Sequence, residues 1–343
     1  MAEQGALIKI KEQINRYPYS LSFDAYPAKL MNLGIDEYLL NPLRAFEACL
    51  YANEYFQVDT ACSYFIPGAI CKDFGGEIRF SSAEWPLISK RPIENIHDID
   101  ALNPPDPRQS FSFAQNSQFL NLCEQHGFGH GFYVSSLLER IVHLAGVELV
   151  LKWMIKQPQA VHYLLELVLA YTVREIELYL DTFGRKGFGI SFAYSFESQP
   201  LLSPKQFEVF CAPYILRLHQ ELYRLGVRSF SESLCGCHDQ TLSFWCRELA
   251  PPPGTVFTLD HLTDFDRAES LLGDDYPVAG NLSTILLNEG TPQQVYDTTR
   301  GLIAKYHQRP GGFIVAPDSG IPFHTPEQNI FAFLAAAADA AKE

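Results

Sequence analysis

Over roughly its last 160 residues the chain repeats one unit: a short apolar run, a turn of Gly, Pro, Asp or Ser, then apolar positions at helical spacing. That is the pattern of βα units. The runs Phe188 to Tyr194, Val227 to Glu232, Thr255 to Asp260, Tyr276 to Gly280 and Gly312 to Ala316 are the expected strands. Ser203-Pro204-Lys205-Gln206, Thr291-Pro292-Gln293-Gln294 and Thr325-Pro326-Glu327-Gln328 each offer an N-cap hydroxyl, Pro at the first helical position and Gln three residues after the cap. Each reads as a capping box. The helix opened by Ser203 should end before Gly226, a left-handed C-terminal cap.

Upstream, Pro158 starts a long helix with Val161, Leu164, Leu165, Val168, Ile176, Tyr179 and Leu180 on one face, and Gly184 stops it. Gly131 to Ser135 and Gln57 to Tyr64 are two further expected strands, Phe74 to Phe80 reads as part of a hairpin, and Pro104-Pro105-Asp106-Pro107 reads as a connection. Seven strands interleaved with helices predict an α/β fold, a (β/α)8 TIM barrel of about 250 residues with an N-terminal helical extension. One domain over 1–343 follows: an extension at 1–55, a barrel at 56–343, and the hairpin and proline-bearing insertion at about 66–115. An open doubly wound sheet is disfavoured because Gly127-Phe128-Gly129-His130-Gly131 precedes its strand, the wrong order for cradling a pyrophosphate.

Composition narrows the partners. The 343 residues include 25 Phe and 17 Tyr, a heavy aromatic core, and carry a formal net charge of -14. An acidic body without a Lys/Arg cluster repels phosphate backbones, so nucleic acid is set aside. The start Met1-Ala2-Glu3-Gln4 lacks the basic and apolar regions of a secretory signal, and no apolar run has the length of a bilayer span. Eight Cys scattered along the chain suit a reducing cytoplasm, the expected location. The partners weighed are a small-molecule substrate and, for self-association, a homodimer.

In a βα barrel the C-terminal ends of the strands converge on one mouth. Tyr194 and Glu197, Glu232 to His238, Asp260, His261 and Asp264, Asn281, and Asp318 with Ser319 hold those positions. Cys235, Cys237 and His238 mix two thiols with an imidazole, which suits zinc. The competing reading has Cys235 at the mouth, Cys237 packed into the next helix and His238 capping it. Asp260 and His261 suit proton transfer or outer support of a metal ligand, while Asp264 reads first as a helix cap. Asp318 and Ser319 either face the mouth or pin the turn through backbone hydrogen bonds.

Ser233 to Gly236, Gly280-Asn281-Leu282, Glu289-Gly290-Thr291-Pro292, Gly312 to Pro317, Ile321-Pro322 and Thr325 to Ile330 resemble the uroporphyrinogen decarboxylase superfamily, which also contains the corrinoid-linked methyltransferases. The likeness extends over nearly the whole chain and implies the same barrel with a helical extension. The decarboxylase branch carries an Arg-Gln-Ala-Gly-Arg-like segment for substrate carboxylates, where this chain has Tyr17-Pro18-Tyr19-Ser20-Leu21-Ser22-Phe23-Asp24. The methyltransferase branch binds zinc through His-x-Cys-Gly and a Cys before Gly-Ile-Pro. Here those positions read Ser233-x-Cys235-Gly236 and Ser319-Gly320-Ile321-Pro322, so one ligand of three matches.

The resemblance therefore implies methyl transfer between a small methylated donor or thiol acceptor and the corrinoid of a partner protein. Zinc, if kept, would use Cys235 with Cys237 and His238 as replacement ligands. Asp260 and Asp318 are the expected catalytic acids, and Tyr194, Asn281, Ser233 and Ser319 the expected substrate contacts. The alternatives are a cofactor-free decarboxylase of tetrapyrroles and a catalytically idle barrel that binds a small ligand or corrinoid protein. All three need the thiol of Cys235 and the carboxyl of Asp260 in one cavity.

Overall fold

The structure is a computed structural model describing residues 15–60, 63–128, 131–185 and 187–342. Residues 1–14 of the expected extension, the middle of the expected strand at 57–64, and Gly129-His130 lie outside the described residues.

Short helices α1 (Tyr26–Leu30) and α2 (Ile35–Leu40) and the longer α3 (Pro42–Phe56) form the extension. Asn41 caps α3 by accepting the N–H of Arg44. Then come α4 (Ala69–Asp73), the antiparallel hairpin β1 (Glu77–Arg79) and β2 (Leu87–Lys90), α5 (Asp98–Ala101) and α6 (Phe111–Gln125). The βα series runs β3 (Gly131–Ser135), α7 (Leu137–Ala145), α8 (Val147–Lys156), α9 (Pro158–Phe183) and β4 (Gly189–Ala193). It continues through α10 (Pro204–Phe210), α11 (Ala212–Arg224), β5 (Ser229–Leu234), β6 (Val256–Leu259) and α12 (Phe265–Leu272). It ends with β7 (Val278–Leu282), α13 (Thr284–Glu289), α14 (Pro292–Tyr306), β8 (Phe313–Pro317) and α15 (Glu327–Ala340).

Strands β3 to β8 form one parallel sheet in sequential order, the winding of the expected barrel. Six of the seven expected strands are present. The outer edge of β8 is taken by the N-terminal segment: Tyr19 makes a parallel bridge to Val315, Ser20 donates to the Val315 carbonyl at 3.0 Å, and Val315 donates to Pro18 at 3.0 Å. Residues 18–20 and β8 are thus neighbouring staves.

Three local expectations are corrected. The described residues at 57–60 and 63–64 form no strand. Val58 donates to Asn53 at the end of α3, and the buried Asn53 amide donates to the Thr60 carbonyl, so this backbone is bound to a helix end. The capping boxes at Ser203 and Thr291 form, but α15 starts one residue late with no side-chain cap. The Thr325 hydroxyl lies 3.4 Å from Asn288, and its carbonyl accepts Tyr26 and Lys29 from α1. Lastly, the helix opened by Ser203 is two helices broken at Cys211, because Pro213 has no N–H to donate back one turn. The second ends as expected: Gly226, at φ +93°, provides the left-handed exit.

Alternation along the strands separates two environments. Phe132 packs on Tyr179 of α9 and Phe192 lies against His219 of α11, so these positions face the helix layer. Their neighbours Tyr133, Ser191, Ser231 and Ser233 take the opposite, barrel-lining face. The helix layer is strongly aromatic, with Trp245 and Phe207 fully buried, and each such side chain contributes on the order of 1.5–3 kcal/mol by burial. Among the described residues no helix is long and apolar enough to cross a membrane.

Candidate functional site

The ends of β5, β6 and β8 bring the first group of side chains together. Asp260 follows β6, and both of its oxygens are fixed by backbone: Gly236 N donates to Oδ2 at 2.8 Å and Leu262 N to Oδ1 at 2.9 Å. Asp318 follows β8 and is almost fully buried, with Oδ1 accepting the N–H of Thr284 at 3.0 Å. Between them stands His261. Its Nδ1 is hydrogen-bonded to Asp318 Oδ2 and lies 3.2 Å from Asp260 Oδ1. The side chain is 32% exposed, and Nε2 has no protein partner among the described residues. Two rigid carboxyls thus orient an imidazole whose other nitrogen faces the open mouth, the arrangement that serves proton transfer.

Cys235 joins this group. Burial pushes its thiol up to about 12, helped by the carboxyls of Asp260, Glu139 and Asp318 and opposed by a hydrogen bond from Ser195. The bond from Gly236 to Asp260 brings the loop that carries Cys235 against the one that carries Asp260. Asp24 enters from the N-terminal segment, where Ser22 donates to its Oδ1 at 2.8 Å. Its backbone is left-handed at φ +46°, and burial raises its carboxyl to about 6. Gly320 permits this approach, since a Cβ there would sit 1.7 Å from Asp24 Oδ2.

The other expected residues separate. Ser233 lies half-buried on the same strand face as Cys235, in register with Thr258; Asn281 is half-buried on β7 opposite Ala316; Ser319 is exposed beside Asp318. Tyr194 is a correction. It is buried in the helix layer with its ring 4.4 Å from Trp245 and does not line the mouth. His238 is fully buried, its Nε2 spent on the carbonyls of Tyr194 at 3.0 Å and Cys235 at 3.2 Å, and burial lowers it to about 4. Cys237 turns to the Gln199 side chain at 3.8 Å. Asp264 is the helix cap it is first read as, accepting the N–H of Arg267.

Zinc of the thiolate type does not fit these donors. The positions implied by the resemblance supply Cys235 alone, since a serine hydroxyl is a poor zinc donor, and Cys237 and His238 are committed elsewhere. Among the described residues the group able to share one ion is Asp260, His261 and Asp318, with ligand atoms within 4.8 Å of one another. That oxygen and nitrogen set would take a harder divalent cation.

A second group flanks the first and has no counterpart in the sequence reading. A cavity of about 80 Å³ lies between the Phe65–Ile70 segment, β3 and α7, lined among others by Tyr133, Glu139, Arg140 and Glu175. Burial lifts Glu139 to about 7, and Glu139 lies near enough to Cys235 to raise its thiol. The pattern Ser136-x-x-Glu139 at a strand end was the available signal: Ser136 caps α7 through the Glu139 N–H at 3.0 Å. Nothing in the sequence pointed to Asp24 or Tyr133.

The comparisons agree with this architecture. The family model described as Uroporphyrinogen decarboxylase (URO-D) matches residues 10–340. The uroporphyrinogen decarboxylase of Chloroflexus aggregans is 25% identical over 321 residues, covering 89% of this chain and 85% of that protein. The methylated-thiol–coenzyme M methyltransferase of Methanosarcina mazei is 24% identical over 198 residues, 57% of this chain and 48% of its own length. Among solved structures, a methyltransferase from Methanosarcina mazei superposes with a TM-score of 0.78 at 17% identity, covering 97% of each chain. The family match over nearly the whole chain places it in the uroporphyrinogen decarboxylase family.

Proposed function

We propose that the chain is a methyltransferase acting between a small methylated donor or thiol acceptor and the corrinoid of a partner protein. One observation carries the reading: the mouth is walled by carboxyls. Asp260 and Asp318 lie against His261, Gly236 next to Cys235 donates to Asp260, Asp24 packs on Gly320 in the loop after β8, and the segment Tyr17 to Asp24 contributes no arginine. Such a wall repels a polycarboxylated tetrapyrrole and tolerates a neutral or cationic methyl compound.

His261 has the role of moving the proton. Asp318 and Asp260 hold Nδ1, which leaves Nε2 to take the proton of an incoming thiol or to return one to the leaving heteroatom. The methyl group passes without its bonding pair: the pair stays on the donor atom, and the acceptor's lone pair forms the new bond. The barrel supplies proximity, holding both reactants over one mouth.

The test combines purified chain, methylated corrinoid and a panel of thiols, followed by corrinoid absorbance. Demethylation that is lost in His261→Ala supports the reading. Decarboxylation remains the second reading because the curated relatives include uroporphyrinogen decarboxylases. Stepwise loss of carbon dioxide from uroporphyrinogen would establish it instead. Inactivity in both assays would leave the idle barrel motivated by Ser233 and Ser319.

A further inference from the structure

The cavity beside the mouth has a composition that a mere packing void lacks. It is about 80 Å³ in volume, roughly half the 150 Å³ of an engineered apolar cavity that admits benzene, so it has room for a group of a few heavy atoms. Its carboxyls outnumber its cations. Arg140 is committed, with Nη1 2.9 Å from Glu175 Oε2 and Nε donating to the Ser135 carbonyl. Asp73 accepts the backbone and hydroxyl of Ser112. Glu139 has His143 Nε2 at 3.7 Å, and His143, held down to about 4 by burial and by Arg140 and Arg91, brings no charge at neutral pH.

The remaining wall is largely apolar, made by Ile66 to Ile70 with the rings of Phe65, Phe132 and Tyr133. The rings of Phe65 and Tyr133 stand 4.8 Å apart at 40°, and Trp85 stacks 6.4 Å from Phe65 at the exposed side. Aromatic faces attract cations, and most distinctively cations clothed in methyl groups, which hydrogen-bonding sites serve poorly. Carboxyls and aromatic rings lining one cavity form a complementary site.

We propose that this cavity binds a methylated ammonium group, with Phe65 and Tyr133 holding the methyl groups and Glu139 and Asp73 supplying the countercharge. Resting on the methyl-transfer reading above, it names the substrate class of that site: a methylated amine beside Cys235 and His261. On transfer the nitrogen keeps the C–N pair and leaves as the neutral amine, while the lone pair of the thiol or corrinoid acceptor forms the new bond.

Calorimetric titration of the full chain with tetramethylammonium chloride tests the site, with tert-butanol as a neutral near-isostere and potassium chloride as a salt control. Saturable binding of the ammonium alone is expected, weakened at least tenfold in Glu139→Gln and severalfold in Phe65→Leu, the latter at a half-buried position that should leave folding intact. No saturable binding, equal binding of tert-butanol, or an unchanged affinity in both variants would overturn the site. If ammonium binds and no methyl group reaches any acceptor, the site stands and the methyl-transfer reading falls. If the chain transfers methyl groups from oxygen or sulfur donors and binds no ammonium, the site falls and that reading stands.

Discussion

The backbone N–H of Gly236 donates to Oδ2 of Asp260 across 2.8 Å, and this bond joins the loop after β5 to the loop after β6. It puts Cys235 and Asp260 side by side at one mouth. Gly236 serves here at φ +85°, a conformation that L side chains rarely adopt.

Because both Asp260 oxygens accept backbone N–H groups, Asp260→Asn presents an amide NH2 to a donor it cannot bond. The expected cost is about 1–3 kcal/mol in urea unfolding, with a 10²-fold or greater loss of methyl transfer in the same preparation. A variant of wild-type stability and activity would remove Asp260 from the site.

Gly320→Ala drives a Cβ to 1.7 Å from Asp24 Oδ2. Either the N-terminal segment or the loop after β8 must shift, at a cost of about 1–3 kcal/mol by denaturant titration. Asp24→Ala in the same background should recover part of that loss, because the clashing carboxyl is gone.

Buried carboxyls set a stability that falls as pH rises from mildly acidic to about 8. Burial raises Glu197 from 4.5 to about 8, and its Oε2 has no hydrogen-bond partner. The folded chain keeps a proton that the unfolded chain releases, so this contribution is complete below pH 4.5 and is lost as pH rises through about 8. His143 and His238, both lowered from 6.5 to about 4 by burial, act in the opposite sense and lose stability as pH falls through 4. Between pH 6.5 and 8 the histidines no longer contribute. Glu197→Gln should flatten the decline there by at most about 1.4 kcal/mol per pH unit, measured as unfolding free energy from pH 6.5 to 8. An unchanged slope would assign the decline to other groups.

Cys235 is the one thiolate-type donor among the positions the resemblance implied. Zinc measured by atomic absorption on chain purified without chelator should therefore be the same in wild type and Cys235→Ala. A drop of one equivalent on substitution would restore a thiolate zinc site.

The fold was largely legible because its signals are periodic and local. Pro158 to Gly184 is one helix, and six strands fall on the expected runs. Where tertiary partners compete for a backbone group, local pattern misleads: Asn53 holds the segment read as a strand at 57–64, and α1 claims the carbonyl of Thr325. The site was legible by half. Strand ends located Cys235, Asp260 and Asp318, since a parallel barrel collects its strand ends at one mouth. Side-chain direction was hidden, so Tyr194 and His238, one and four residues past their strands, turned out to be packing residues. Asp24, Tyr133 and Glu139 reach the centre from distant parts of the chain, a relation no spacing encodes.

The pairing of Pro18–Ser20 with Val315 also bears on biosynthesis. Residues 18–20 rest against a strand nearly three hundred residues further along the chain, so on the ribosome they wait for that length of synthesis before their neighbour emerges. Until then the nascent sheet presents two raw edges to other chains. The pairing forms only after β8 has emerged, and crowded synthesis should show up as intermolecular strand exchange before it shows up as lost chemistry.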